Sequence, residues 1–126
     1  MIRIPEVGND EPYAVRAEIR SPDPSCNPYL AFAALLKAGL EGNNNNYELP
    51  AAAKENVYHL KAADLKAAQI ESLPTSLGQA IELFSKSTLA QQLLGATLFN
   101  EFIKIKTKEL HSFLTAVTDW ETEKYF

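Results

Sequence analysis

The sequence predicts an α+β fold that is predominantly α-helical, with one or two N-terminal strands followed by a buried helix and a C-terminal helical bundle. Three observations support this. Charged and apolar residues alternate over residues 14–20, a nearly continuous apolar run follows at 29–40, and helical periodicity dominates residues 76–116. At 126 residues, the chain has room for one domain with a modest core.

Composition and charge narrow the classes of protein to consider. Hydrophobic residues make up 46% and charged residues 22%, which is ordinary for a globular domain. The net charge of −4 and the scattered lysines and arginines argue against nucleic-acid binding. No apolar run reaches membrane-spanning length, and the start lacks a signal-peptide core, so no membrane partner is expected. The single cysteine, Cys26, fits a reducing compartment, and we expect a cytoplasmic setting.

The first 26 residues are expected to carry a strand and a loop with candidate site residues. In a strand over 14–20, Arg16, Glu18 and Arg20 share one face. Two guanidiniums beside a carboxylate can hold phosphate and a divalent metal together. The same alternation is also typical of a strand with one solvated face, so both interpretations stand. Because Glu18 has no companion carboxylate on its face, further metal ligands would have to come from outside this chain.

Residues 27–42 are predicted to form the buried helix. Asn27 is a good N-cap, Pro28 suits the first helical position, and Gly42 is placed to end the helix. The segment between them is apolar nearly all round, and such a helix must be enclosed by other structure. A chain this short can hardly supply that enclosure, so partner surface is expected from elsewhere.

Residues 43–75 are expected to be an irregular connection. The run of four asparagines at 43–46 predicts a polar turn. Residues 48–60 contain Pro50 and little periodicity, which allows one helical turn, and 62–68 suit a short helix.

Residues 76–126 form the predicted helical C-terminal region. Ser76 and Gln79 make a capping-box pattern at the start of an amphipathic helix. Ser87 can cap a short helix that Gly95 ends, and a long amphipathic helix follows over 96–116. The tail after it is rich in aromatic residues, which are seldom left in water, so we expect it to dock on a neighbouring surface.

Motifs that would indicate a self-contained active site are missing from the sequence. There is no glycine-rich phosphate loop, no pair of cysteines in Cys-x-x-Cys spacing and no His-x-x-x-His. Tyr58 lies among polar residues, where it is either exposed or amphipathic with its ring buried.

Ordered motifs nevertheless run through nearly the whole chain. The central one is Arg16-x-Glu18-x-Arg20, followed by Asp23-Pro24 and Asn27-Pro28-Tyr29. Further motifs lie at residues 3–5, 38–42, 56–58, 73–77 and 117–125. In this order they resemble the C-terminal catalytic region of type I glutamine synthetases of bacteria and archaea.

That resemblance implies an ATP-dependent ligase that joins ammonia to glutamate through γ-glutamyl phosphate, using Mg²⁺ or Mn²⁺. It also implies active sites between subunits of a homo-oligomer, a dodecamer in that family. By resemblance, Glu18 is a ligand of the metal near the ATP phosphates. Arg20 binds glutamate and the transferred phosphate, Arg3 and Arg16 lie on the nucleotide side, and Arg20 and Arg3 act in catalysis by neutralising charge on either side of the metal.

The chain departs from the family pattern in two places. Tyr58 resembles a tyrosine that some bacterial members adenylylate to lower activity. The usual acidic residue and proline after it are replaced here by His59 and Lys61. The family's N-terminal domain and its other metal ligands have no counterpart in these 126 residues, so we expect a fragment that is inactive alone.

Two alternatives remain. A relative that joins glutamate to another amine, a γ-glutamyl-amine ligase, is barely distinguished by these residues. A non-catalytic helical binding module could keep the fold without the chemistry, but the retained cluster of Arg3, Arg16, Glu18 and Arg20 argues against it.

Overall fold

The computed structural model describes residues 2–5, 14–53 and 56–125. In these ranges, two short strands precede five α-helices, as the sequence predicts. The elements are β1 (Ile2–Arg3), β2 (Glu18–Ile19), α1 (Pro28–Asn44), α2 (Ala62–Ala67), α3 (Leu77–Ser85), α4 (Thr88–Thr115) and α5 (Asp119–Tyr125). No helix among these described residues combines the length and apolarity needed to cross a membrane.

The two strands pair in antiparallel fashion, with Ile2 opposite Ile19 and Arg3 opposite Glu18. The predicted strand over 14–20 is therefore wrong in extent, because only Glu18 and Ile19 belong to it. A strand extends only as far as its partner offers hydrogen bonds, and Pro5 cannot donate to a ladder. Arg16 and Arg20 consequently flank the strand.

Helix α1 begins as the sequence predicts. The side-chain oxygen of Asn27 accepts hydrogen bonds from the backbone N–H groups of Tyr29, at 3.0 Å, and Leu30, at 3.3 Å. Proline occupies the first helical position, where its missing N–H costs nothing.

The predicted end of α1 at Gly42 is wrong, because the helix continues to Asn44. A glycine inside a helix costs only about 1 kcal/mol relative to alanine, which further helical hydrogen bonds can offset. The backbone N–H of Asn45 donates to the Glu41 carbonyl at 3.0 Å, and that of Tyr47 to the Gly42 carbonyl at 2.9 Å. These bonds complete the last turn.

One face of α1 packs on α4, and another face is left open. The open face carries Tyr29, Phe32, Leu36 and Leu40, whose exposed fractions range from 52% to 84%. The chain as a whole exposes 11350 Å², against about 6700 Å² for a compact monomer of its mass. Enclosure of this helix therefore stays a prediction that needs surface beyond the described residues.

The connection to the C-terminal region is mostly irregular, as expected. A single 3₁₀ turn at Val57–His59 is capped by Asn56, whose side chain accepts from the Tyr58 N–H at 3.1 Å. The short helix α2 then lies within the predicted range.

Helices α3 and α4 form a hairpin that contains the small core. Ser76 caps α3 by accepting from the Gln79 N–H at 3.2 Å, as predicted. Phe84 of α3 lies between Phe99 and Phe102 of α4, with ring centroids 5.5 and 5.1 Å apart. Phe99 is only 6% exposed, so this aromatic cluster is the main apolar contact of the hairpin.

Gly95 breaks α4, which confirms the predicted boundary between a short and a long helix. Its φ of 69° and ψ of 161° are non-helical, although the residues on both sides are helical. This backbone region is essentially restricted to glycine. The short first part begins at Ser87, whose hydroxyl accepts from the Ala90 N–H at 3.1 Å.

We expect Gly95→Ala to destabilise the chain by about 1–3 kcal/mol, because a Cβ at this φ and ψ is strained. A Cβ here would meet no atom within 4 Å, so the cost is one of backbone conformation alone. Gly39→Ala is the matched control, since Gly39 lies inside α1 with equally open space and should gain up to about 1 kcal/mol. Urea unfolding followed by circular dichroism measures both, and equal effects would contradict the assignment.

Helix α5 carries the aromatic tail. The Thr118 N–H donates to the Glu121 carboxylate at 2.8 Å, while the Thr118 hydroxyl accepts from the Glu121 N–H at 3.3 Å. Trp120 and Tyr125 contact each other edge to face and remain 64% and 71% exposed. Docking of this tail on another surface stays a prediction.

Candidate functional site

The strand pair brings an arginine and a glutamate together that are 15 residues apart in sequence. Because Arg3 lies opposite Glu18 in the ladder, its Nη1 reaches Glu18 Oε2 at 3.2 Å. Arg16 reaches the same carboxylate from the loop before β2, with Nη2 at 3.0 Å from Oε1. Each carboxylate oxygen of Glu18 thus accepts from a different guanidinium.

The cluster lies at the surface but is not fully open. The side chains of Arg3 and Arg16 are 56% and 58% exposed, and that of Glu18 is 29% exposed. Arg16 is further tethered by its Nη1, which donates to the Ala14 carbonyl at 3.3 Å. The geometry leaves both guanidiniums partly accessible to a ligand.

The pKa of Glu18 lies below its usual value. Desolvation by the surrounding chain raises it, but the hydrogen bond from Arg16 and the positive charges of Arg3 and Arg16 together outweigh that effect. Glu18 is therefore an anion at neutral pH, which is the form that binds a metal ion.

Arg20 follows β2 directly and is exposed. Among the described residues it has no ion-pair or hydrogen-bond partner, unlike Arg3 and Arg16. The structure therefore brings Arg3, Arg16 and Glu18 into contact, and Arg20 takes no part in these ion pairs.

Asp23 belongs to a local turn. Its carboxylate accepts from both the backbone N–H and the hydroxyl of Ser25, and these bonds lower its pKa. Asp23 therefore acts as a turn-capping residue.

The fit to a divalent metal can be judged from the donor set. Within the described ranges, no three His, Cys, Asp or Glu side chains come close enough together to hold a metal ion. Glu18 is an ionised, partly covered carboxylate, which suits one coordination position of Mg²⁺ or Mn²⁺. The residues present fit a single ligand of a site that other residues must complete.

Tyr58 lies in the 3₁₀ turn with 84% of its side chain exposed. Of the two sequence interpretations, the exposed tyrosine is the correct one. An exposed tyrosine can be reached by another molecule from solvent, whereas a tyrosine whose ring is buried by its neighbours cannot.

The contact between Arg3 and Glu18 could not be predicted from the spacing of these residues in the sequence. Its signal was the alternation Ile2-Arg3-Ile4, which is compatible with a strand but too short to establish one. Only the strand register fixes which arginine lies opposite the carboxylate.

Comparison with known proteins identifies the family of the chain. The family model described as glutamine synthetase, catalytic domain, matches residues 1–125. The glutamine synthetase of Thermotoga maritima is 45% identical over 125 residues, which cover 99% of this chain and 28% of that protein. That of Methanococcus voltae is 42% identical, covering 99% and 27%.

A third relative, the glutamine synthetase of Pyrococcus woesei, is 40% identical over 138 residues, covering 100% of this chain and 30% of that protein. The chain thus spans less than a third of the length of these curated relatives. Because the family model matches almost every residue, the chain belongs to the glutamine synthetase catalytic-domain family.

Proposed function

We propose that this chain is the C-terminal part of a glutamine synthetase catalytic domain, in a cytoplasmic enzyme that ligates ammonia to glutamate with ATP. The observation that carries the proposal is the cluster in which Arg3 and Arg16 hold the two oxygens of Glu18. It occurs in a chain that matches the family over residues 1–125.

The chemistry of the reaction explains why such a cluster is useful. Moving a phosphoryl group from ATP onto a carboxylate brings several negative oxygens together, so cations must neutralise them in the transition state. A divalent metal, when bound, polarises the phosphoryl group. In this proposal Glu18 supplies one metal ligand, Arg3 and Arg16 bind phosphate oxygens on the nucleotide side, and Arg20 orients glutamate and the transferred phosphate.

The lone carboxylate and the open apolar surface point to a site shared with other residues. Glu18 cannot hold a metal by itself, and the exposed apolar residues on α1 need a covering surface. We therefore assign the remaining ligands and the cover to the rest of the subunit and to neighbouring copies in a homo-oligomer. On this basis the 126-residue chain is inactive alone.

A chimera tests the proposal. In it, this chain replaces the 125 aligned residues of the Thermotoga maritima relative, to which it is 45% identical. We expect phosphate release that depends jointly on ATP, glutamate and ammonia, with no such activity from the isolated chain. Lys86→Gln is a control that should leave the rate unchanged, because among the described residues Lys86 forms an ion pair only with the exposed Glu82 of α3.

Two outcomes would contradict the proposal. A chimera that assembles and binds glutamate but releases no phosphate would favour the non-catalytic binding module. Formation of γ-glutamyl hydroxamate from hydroxylamine by the isolated chain would show that the site is complete without other residues.

The identity of the amine is a separate matter. A γ-glutamyl-amine ligase remains the alternative within the same superfamily, since no described residue is assigned to the amine. Competition between ammonia and primary alkylamines, measured on the native enzyme that contains this chain, distinguishes the two.

Tyr58 is a further candidate, as a site of regulatory adenylylation. Its 84% exposure supports access by a modifying enzyme. After the tyrosine, His59 and Lys61 replace the acidic residue and the proline of the family pattern, so a modifying enzyme would meet an altered recognition sequence.

A further inference from the structure

The two arginines occupy the oxygens that a metal would need. Arg16 Nη2 lies 3.0 Å from Glu18 Oε1, and Arg3 Nη1 lies 3.2 Å from Oε2. A carboxylate offers about four lone-pair positions. Geometry alone would therefore allow a metal ion to bind Glu18 while an arginine stays bound. Charge is the stronger constraint, because a divalent cation on Glu18 would lie within a few ångströms of both guanidiniums.

Bringing a divalent cation to Glu18 changes the charge balance of the cluster. Without it, two arginines and one glutamate sum to a single positive charge; with it, the sum is three. Like charges at such distances repel, and the repulsion is weaker when the arginines can move away. Both side chains are more than half exposed, which leaves them room to move, and Arg16 in moving also gives up its 3.3 Å hydrogen bond to the Ala14 carbonyl.

We propose that Arg3 and Arg16 are released from Glu18 when the metal binds there, and that the released guanidiniums then bind phosphate oxygens. This inference rests on the proposed function, since it assumes that Glu18 is a metal ligand. Its consequence is that metal binding and phosphate binding strengthen each other at this site. By linkage, the strengthening must be the same in both directions.

If the arginines instead stay bound to Glu18 and only position it, the change in Mn²⁺ affinity on removing one of them has the opposite sign. If Arg16 served only to orient Glu18 toward the metal, its removal would weaken metal binding. If Arg16 competes with the metal, its removal strengthens metal binding in the absence of phosphate. The direction of the change therefore distinguishes an arginine that supports the bound metal from one that opposes it.

The experiment measures Mn²⁺ binding to the assembled chimera by the electron paramagnetic resonance signal of free Mn²⁺. The titration of the Glu18→Gln variant is compared first. The part of the Mn²⁺ binding curve that this variant lacks is assigned to Glu18 and is called the Glu18 phase. For that phase, Arg16→Gln is expected to tighten Mn²⁺ binding by about fivefold. Lys86→Gln, which removes one positive charge from an exposed pair on α3, should leave it unchanged.

Sulfate serves as the phosphate probe, because it binds free Mn²⁺ only weakly. In the unsubstituted chimera, sulfate should tighten the Glu18 phase by about fivefold, and in Arg16→Gln this tightening should shrink. Arg3→Gln provides a second variant with the same expected signs, should Arg16→Gln fail to assemble.

The outcomes separate the two proposals. Weaker or unchanged Mn²⁺ binding in Arg16→Gln and Arg3→Gln, where the unsubstituted chimera is active, overturns the release of the arginines and leaves the function standing. Absence of a Glu18-dependent phase from an assembled but inactive chimera overturns the proposed function itself.

Discussion

Glu18→Gln in the assembled chimera is expected to lower turnover roughly a hundredfold or more at ordinary Mg²⁺ concentration. Glutamine keeps the size of the side chain but loses the charge that attracts the metal and both arginines. Steady-state phosphate release measures the loss. Raising the concentration of Mn²⁺ should restore part of the rate, because the substitution weakens metal binding and leaves the remaining ligands in place.

The control for Glu18→Gln is Glu82→Gln. Glu82 also pairs with a cation, the Lys86 ammonium at 2.6 Å, and its pKa is likewise lowered by that hydrogen bond and charge. It belongs to α3, however, and not to the strand pair. Similar losses in the two variants would mean that Glu18 acts through stability, and its assignment as a metal ligand would be withdrawn.

Arg20→Ala is expected to lower turnover roughly a hundred- to thousandfold while leaving assembly intact. Arg20 has no ion-pair or side-chain hydrogen-bond partner among the described residues, so its removal breaks no such bond within the part of the chain that the structure covers. Its guanidinium is available for a carboxylate or phosphate, and a loss in the transition state appears in kcat rather than only in KM. Size-exclusion chromatography checks assembly.

Lys104→Ala is the matched control for Arg20→Ala. Lys104 is an exposed cation on α4 that pairs with Glu101 at 3.3 Å, and such surface pairs contribute little. Near-normal kcat in Arg20→Ala would remove that arginine from the mechanism, whereas a loss of assembly would assign it a structural role.

Local rules predicted the helix starts well. Asn27, Ser76 and Ser87 each accept hydrogen bonds from the first turn of the helix that they were expected to cap. The break at Gly95 also followed from residue type, since glycine tolerates the positive φ found there. These features depend on residues within four positions of one another.

Features set by distant contacts were harder to predict. The extent of β2 depends on how much partner β1 offers, and no pattern within residues 14–20 contains that information. The end of α1 was missed for a local reason: the N–H groups of Asn45 and Tyr47 donate hydrogen bonds that offset the cost of Gly42 within the helix. For the site, alternation identified Glu18 and Arg16, family resemblance added Arg3, and only the register explains why Arg3 meets Glu18.

The open face of α1 has a consequence for how substitutions in this helix should be judged. Tyr29, Phe32, Leu36 and Leu40 face water in the chain alone, where polar replacements would raise solubility at little cost. In the proposed enzyme the same positions are buried, and the same replacements would leave polar groups without partners. Improving the behaviour of the isolated chain and preserving the enzyme are then opposing requirements, so mutational tolerance of α1 has to be measured in the assembled protein.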